Sequence, residues 1–212
     1  MLRTILLSLA LSGSALSYAA AEERHDWSGS YIGGVVSYHS GDNYWTGTGI
    51  VSTPVDTDGV LGGLTGGYNL EVGQNIVVGV ELDISFGDMH STSPTSASFG
   101  CAAGCQTEVD GFSTLRLRGG YAIGNTLPYF TAGVGFANAT ASVTGFGTLG
   151  DDTVSGLVFG IGVEHAFTPK ITAKIEYLRA DLGNLQIPTS CFPSCSTPIK
   201  FDVLRAGLNY NF

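Results

Sequence analysis

The chain has 212 residues, a formal net charge of −9 and only 13% charged side chains, about half the charged share of a soluble domain. Nine Lys and Arg in all speak against nucleic-acid binding, which needs a basic face. The length fits one domain, and the 31 glycines follow no collagen-like period.

Met1, Leu2 and Arg3 open the chain with one positive charge, Ile5 to Leu11 are a short apolar core, and Ala19 to Ala21 are small. This three-part pattern predicts a secretory signal over residues 1–21, cleaved after Ala21 or, alternatively, after Ala19 or Ala20, and a mature domain over 22–212. Its apolar core is too short to span a bilayer, which takes about 20 residues.

The rest reads as amphipathic strands, with apolar residues at every second position. The first strand is predicted over Trp27 to Tyr38. Its register is open, because Trp27, Tyr31 and Val35 share one face and Ile32, Val36 and Tyr38 share the other. A long polar loop is predicted over 39–58. In the second strand, near 59–70, Val60, Leu64, Tyr68 and Leu70 alternate with Gly63, Thr65, Gly67 and Asn69. A turn over 71–74 leads to the third strand, 75–86, where Ile76, Val78, Val80, Leu82, Ile84 and Phe86 oppose Val77, Gly79, Glu81, Asp83 and Ser85. A second long loop covers 87–108.

The fourth strand, about 109–123, sets Leu115, Leu117, Tyr121 and Ile123 opposite Arg116, Arg118 and Gly120. Gly124, Asn125 and Thr126 form a tight turn. The fifth strand, 127–140, carries Phe130, Ala132, Val134 and Phe136 on one face. Pro128 is acceptable near its start. After a loop over 142–152, the sixth strand, 153–167, has Leu157, Phe159, Ile161, Val163 and Phe167 opposite Gly156, Gly160, Gly162 and Glu164. A turn at Thr168 and Pro169 leads to the seventh, 170–181, where Ile171, Ala173, Ile175 and Tyr177 oppose Thr172, Lys174 and Glu176. The last loop covers 182–199. The eighth strand closes the chain, with Leu204, Ala206, Leu208, Tyr210 and Phe212 opposite Arg205, Gly207, Asn209 and Asn211.

Eight such strands joined by alternating long and short connections predict an all-β fold, an eight-stranded antiparallel up-and-down transmembrane β-barrel with both termini periplasmic. Closure satisfies every backbone hydrogen bond, so a chain can enter a bilayer this way without an apolar helix. A soluble lipocalin-like barrel would turn the same faces the other way. The export signal, the terminal aromatic residue and the scarcity of lysine favour the membrane.

The opening Asp26-Trp27-Ser28-Gly29 followed by Tyr31-Ile32-Gly33-Gly34, together with Gly79 to Asp83 and the terminal Phe212, resembles the Omp25/Omp31-like outer-membrane proteins of alphaproteobacteria, an OmpA-like β-barrel group often labelled porins. Leu208, Tyr210 and Phe212 resemble the C-terminal signal that barrel-assembly machinery reads. The resemblance implies residence in the outer membrane of a Gram-negative cell, among its lipids and lipopolysaccharide. Adhesion to a host or haemin capture by the loops occurs in parts of this group, but no residue here localises it.

With the apolar faces outward, Glu81, Asp83, Glu164 and Glu176 face Arg116, Arg118, Lys174 and Arg205 in the lumen. An eight-stranded barrel is just wide enough for side chains to fill it, and pairing limits the cost of burying charge. The expected interior is therefore ionic and packed, without a wide pore. The expected function is structural: envelope integrity and surface display by four outer loops, without turnover. Alternatives are a narrow ion or small-solute channel and a lipid-modifying enzyme similar to lipid A deacylase, for which His39-Ser40 and His90-Ser91 supply ingredients but not the motif spacing. No catalytic, cofactor or metal residue is assigned. Cys101 and Cys105, and Cys191 and Cys195, lie in predicted outer loops of an exported chain, so disulfides are expected, either locally or between loops.

Overall fold

The structure, a computed structural model, describes residues 24–43, 46–47, 50–51, 55–92, 105–143, 147–187 and 195–212. The export signal expected over 1–21 lies outside these residues.

Eight long strands form the wall: β1 (Gly29–Asn43), β4 (Val55–Val72), β5 (Ile76–Thr92), β6 (Cys105–Tyr121), β7 (Thr126–Val143), β8 (Gly147–Ala166), β9 (Ile171–Ile187) and β10 (Cys195–Asn211). Two short pieces, β2 (Thr46–Gly47) and β3 (Ile50–Val51), lie between β1 and β4, and β2 pairs with the outer start of β10. Each long strand pairs antiparallel with the next, and β1 pairs with β10 from Tyr31↔Asn211 to Ser40↔Asp202. That last ladder closes the sheet. The short turns sit where the sequence places them, and Gly73 and Gly124 supply the left-handed backbone (φ 74° and 60°) that two of them need.

The outward face carries Ile32, Val36, Leu64, Val78, Val80, Leu115, Phe159, Ile161, Ile175 and Leu208, all exposed. A water-soluble monomer does not show so continuous an apolar belt, whereas hydrocarbon solvates it. Aromatic residues edge the belt: Tyr38, Phe86 and Phe136 on the loop side, Tyr121, Phe167, Tyr210 and Phe212 on the turn side. This is the double girdle of a transmembrane barrel. The open register of the first strand resolves with Tyr31 and Val35 inward and Ile32, Val36 and Tyr38 outward.

Two expectations need correction. The strands run 15 to 20 residues, longer than the periodicity alone indicated. Stretches read as loop, including 39–43, 55–58, 87–92, 182–187 and 195–199, belong to the ladder. Beyond the loop-side girdle the outward residues become polar, while alternate inward positions stay apolar: Met89, Leu182 and Ile199 are buried among Val109, Phe112, Val154 and Phe201. The polarity of the wall therefore reverses where it leaves the membrane, and a reading built on one sense of amphipathicity loses the strand there. In the other correction, the first strand starts at Gly29, not Trp27. Gly29 has φ 130°, and the preceding segment folds across the turn-side end with Trp27 only 3% exposed.

A closed ladder with such a belt keeps its shape in cold detergent and loses it on boiling. The unboiled protein should therefore run at a different apparent mass from the boiled one on a denaturing gel. A single unchanged band would contradict the barrel.

Candidate functional site

Alternation on the strands brings eight ionisable side chains into the middle of the lumen. Glu81 and Asp83 come from β5, Arg116 and Arg118 from β6, Glu164 from β8, Lys174 and Glu176 from β9, and Arg205 from β10; all are buried. Arg116 is the hub. One terminal nitrogen pairs with Glu81 and lies 2.7 Å from Asp83 Oδ2, and the other lies 2.8 Å from Glu176 Oε1. Arg205 pairs through Nε with Glu176 and reaches Asp83 at 3.1 Å. Lys174 Nζ donates to Glu81 Oε2 at 2.5 Å and to Thr65 at 3.3 Å. Arg118 reaches Glu164 at 2.7 Å and joins it to the rest through Glu81 at 3.7 Å.

Uncharged residues add further hydrogen bonds. The Tyr31 hydroxyl donates to Glu81 at 2.7 Å, and Thr114 donates to Asp83 at 2.8 Å. Thr172 and Asn209 donate to Glu164 at 2.5 and 2.8 Å. Arg116 also contacts Thr131 on β7 at 3.4 Å. With Tyr31 from β1 and Thr65 from β4, every long strand contributes to one connected network. Four carboxylates meet four cations, so the formal charges of the layer cancel. Such a network is costly to break, because removing one member strands its partners.

Neither Tyr31 nor Tyr129 was assigned to the charged lumen layer from the sequence, yet both shape it. The Arg118 guanidinium lies 4.1 Å from the centre of the Tyr129 ring, within cation–π range. Both tyrosines lie opposite glycine in the ladder, Tyr31↔Gly67 and Tyr129↔Gly162. A Cβ at Gly67 or Gly162 would stand 2.5 Å from the facing tyrosine, so each ring occupies the space that a missing side chain leaves. Inward glycine opposite an aromatic residue was the signal available in the sequence, but it needs the register to be read.

The charged layer does not fill the whole lumen. On the loop side lies an apolar layer that includes Leu61, Val158, Leu178 and Val203. Within it the His39 ring packs edge-on against Phe112 at 5.6 Å, and Phe112 against Phe201 at 5.1 Å. On the turn side Trp27, Val77, Leu127 and Ala166 form a smaller apolar layer. His25 stacks edge-on against Trp27 at 4.6 Å, and burial lowers its pKa. Arg24 pairs with Glu71, and the His25 amide donates to Asn125 at 3.1 Å, which fixes the segment in place.

His39 and Ser40 do not form a site together. His39 is buried, its Nε2 lies 2.9 Å from Ser37 Oγ, and Ser40 points outward. The side chains of His90 and Ser91 lie outside the described residues. His165 faces outward at the turn-side girdle, 2.9 Å from Thr126. Leu208 and Tyr210 face outward, Phe212 packs edge-on against Tyr210 at 5.3 Å, and the Phe212 amide donates to the Ser30 carbonyl at 3.0 Å. Cys105 and Cys195 open β6 and β10. Cys101, Cys191 and any pairing among the four cysteines lie outside the described residues.

The model of the outer membrane protein beta-barrel domain family matches residues 6–212. The chain belongs to this family. It is 29% identical over 213 residues to the 31 kDa outer-membrane immunogenic protein of Brucella melitensis, covering 92% of this chain and 87% of that one. To the 22 kDa outer membrane protein of Rhizobium leguminosarum bv. viciae it is 31% identical over 162 residues, 73% of this chain and 64% of that one. These relatives place it with the Omp25/Omp31 type in the outer membrane of Gram-negative bacteria. The crystal structure of OprG from Pseudomonas aeruginosa superposes with a TM-score of 0.59 at 13% identity, covering 89% of this chain and 98% of that one. That likeness concerns the fold.

Replacing Glu81 with Met leaves Arg116 and Lys174 without their shared partner. Glu81→Met should destabilise the barrel by about 3–5 kcal/mol, the usual cost of breaking a buried ion pair. Glu81→Met combined with Arg116→Met should cost less than the sum of the single changes. Reversible urea unfolding in lipid vesicles measures both.

Proposed function

We propose that this protein is a structural, non-conducting outer-membrane barrel that contributes to envelope integrity and displays its outer connections at the cell surface. One observation carries this reading. The lumen is filled in three successive layers, apolar, ionic and apolar, whose side chains come from every long strand. An ion moving through would have to part the Arg116 hub and then cross the apolar layer around Phe112. The ionic layer serves as a rigid strut, neutral overall, and the segment around Trp27 serves as the turn-side seal. Turnover has no support in this arrangement, because the buried carboxylates are engaged by cations and His39 sits within the apolar layer.

Residues 1–21 act in this reading as the export signal, cleaved after Ala21. Leu208, Tyr210 and Phe212 present the last strand to the assembly machinery. With an even number of strands the termini are periplasmic, so the longer connections face outward.

Reconstituted in a planar bilayer, the full mature chain should give no steady stepwise conductance. Regular open steps would favour the narrow-channel reading instead. Deleting Phe212 should lower the amount of heat-modifiable protein in the outer membrane several-fold while leaving synthesis and export unchanged. Equal amounts of folded protein would remove the terminal strand's proposed role.

A further inference from the structure

The nine Lys and Arg are distributed very unevenly. Arg3 lies in the expected export signal, four cations are in the lumen, and Arg24 and Lys170 are at the turn-side end. The outer strand ends together with the connections between them, residues 41–57, 88–108, 141–151 and 183–199, contain neither Lys nor Arg. The loop-side end therefore has two such cations, Arg179 and Lys200, and the fold places them together. On one outward face of the β9–β10 ladder, successive rungs are Tyr177↔Leu204, Arg179↔Asp202 and Asp181↔Lys200. Arg179 donates to Asp202 at 2.6 Å, Tyr177 donates to the same carboxylate at 2.7 Å, and Lys200 lies 2.7 Å from Asp181.

Both cations remain accessible, their side chains 42% and 45% exposed. A guanidinium has five N–H donors and an ammonium three, so donors remain for a further anion. Exposed pairs of this kind add little to stability, and folding alone does not require both cations on neighbouring rungs. Directly below them, a furrow of about 910 Å³ crosses the lipid-facing wall. It begins at Tyr177 and Leu204, the rung beneath the cations, and is walled by Ile161, Ile175 and Phe130.

We propose that Arg179 and Lys200 bind the phosphate of an outer-leaflet phosphorylated glycolipid, with an acyl chain of the same molecule lying in the furrow below Tyr177. The rim stands where the wall changes from apolar to polar, which is the level of lipid headgroups. The outer leaflet there is built of phosphorylated glycolipid. Arg and Lys together suit a phosphate, one as a directional fork and the other as a mobile point charge. The acidic remainder of the outer end disfavours anions elsewhere, so the attraction is confined to this flank. Asp181 and Asp202 hold the two cations in position and moderate their charge. The proposal does not depend on whether the lumen conducts.

The test uses the full mature chain in phosphatidylcholine nanodiscs doped with bisphosphorylated lipid A, its dephosphorylated form, or phosphatidylglycerol. Native mass spectrometry after mild delipidation measures the lipid retained per barrel, and heat-modifiability confirms that each variant is folded. Bisphosphorylated lipid A should be retained at least tenfold over the other two lipids, and Arg179→Gln with Lys200→Gln should abolish that preference. Asp181→Asn with Asp202→Asn should increase retention by freeing the cations. Equal retention of all three lipids, or a similar loss in both double variants, would overturn the proposal. In the latter case the four residues act only as structural rim pairs.

Discussion

In hydrocarbon, no water is available to satisfy a backbone amide or carbonyl, so a sheet can cross only when it has no edge. The ladder between β1 and β10 meets that condition here. Every other feature follows from it. Closure defines an inside and an outside, the outside must match lipid, and the inside must be filled by whatever the alternate residues provide. Eight strands make that inside just wide enough for side chains to fill.

The contents of the lumen change with height because the surroundings of the wall change. Within the membrane the outward positions are used up by apolar residues, so polar and charged residues fall inward. They are tolerated there because Glu81, Asp83, Glu164 and Glu176 find Arg116, Arg118, Lys174 and Arg205 within bonding distance. Past the loop-side girdle, the wall meets water and the constraint reverses. Arg179, Asp181, Lys200 and Asp202 face out, and Leu182, Phe201 and Val203 face in. The upper part of the barrel is thus built like a small soluble β-barrel on top of a membrane-embedded one. The same ladder runs through both, which is why the strands exceed the length needed to cross the bilayer.

The membrane part was legible in the sequence because its signal is redundant. In β5, Ile76 to Phe86 alternate without interruption against Val77 to Ser85, and the same two-residue period recurs on each strand. The upper part was not legible, because its inward apolar residues are sparse: Met89 and Leu182 stand among Gly, Ser, Thr and Asp, where turn-forming composition outweighs periodicity. Trp27 misled for a related reason. It has the parity of Tyr31 and Val35, yet the backbone turns at Gly29 and the ring enters the lumen from below.

By itself the sequence determined the period, the number of strands, the sign of every side chain and the balance of four acids with four bases. Those properties are local, fixed by which residue follows which. Tertiary structure decided which face is inside on β1, which acid meets which base, and that Tyr31 and Tyr129 fill the space above Gly67 and Gly162. It also decided that Arg179 and Lys200 become neighbours. Such outcomes depend on register between strands distant in sequence, and register is set only when the whole ring closes.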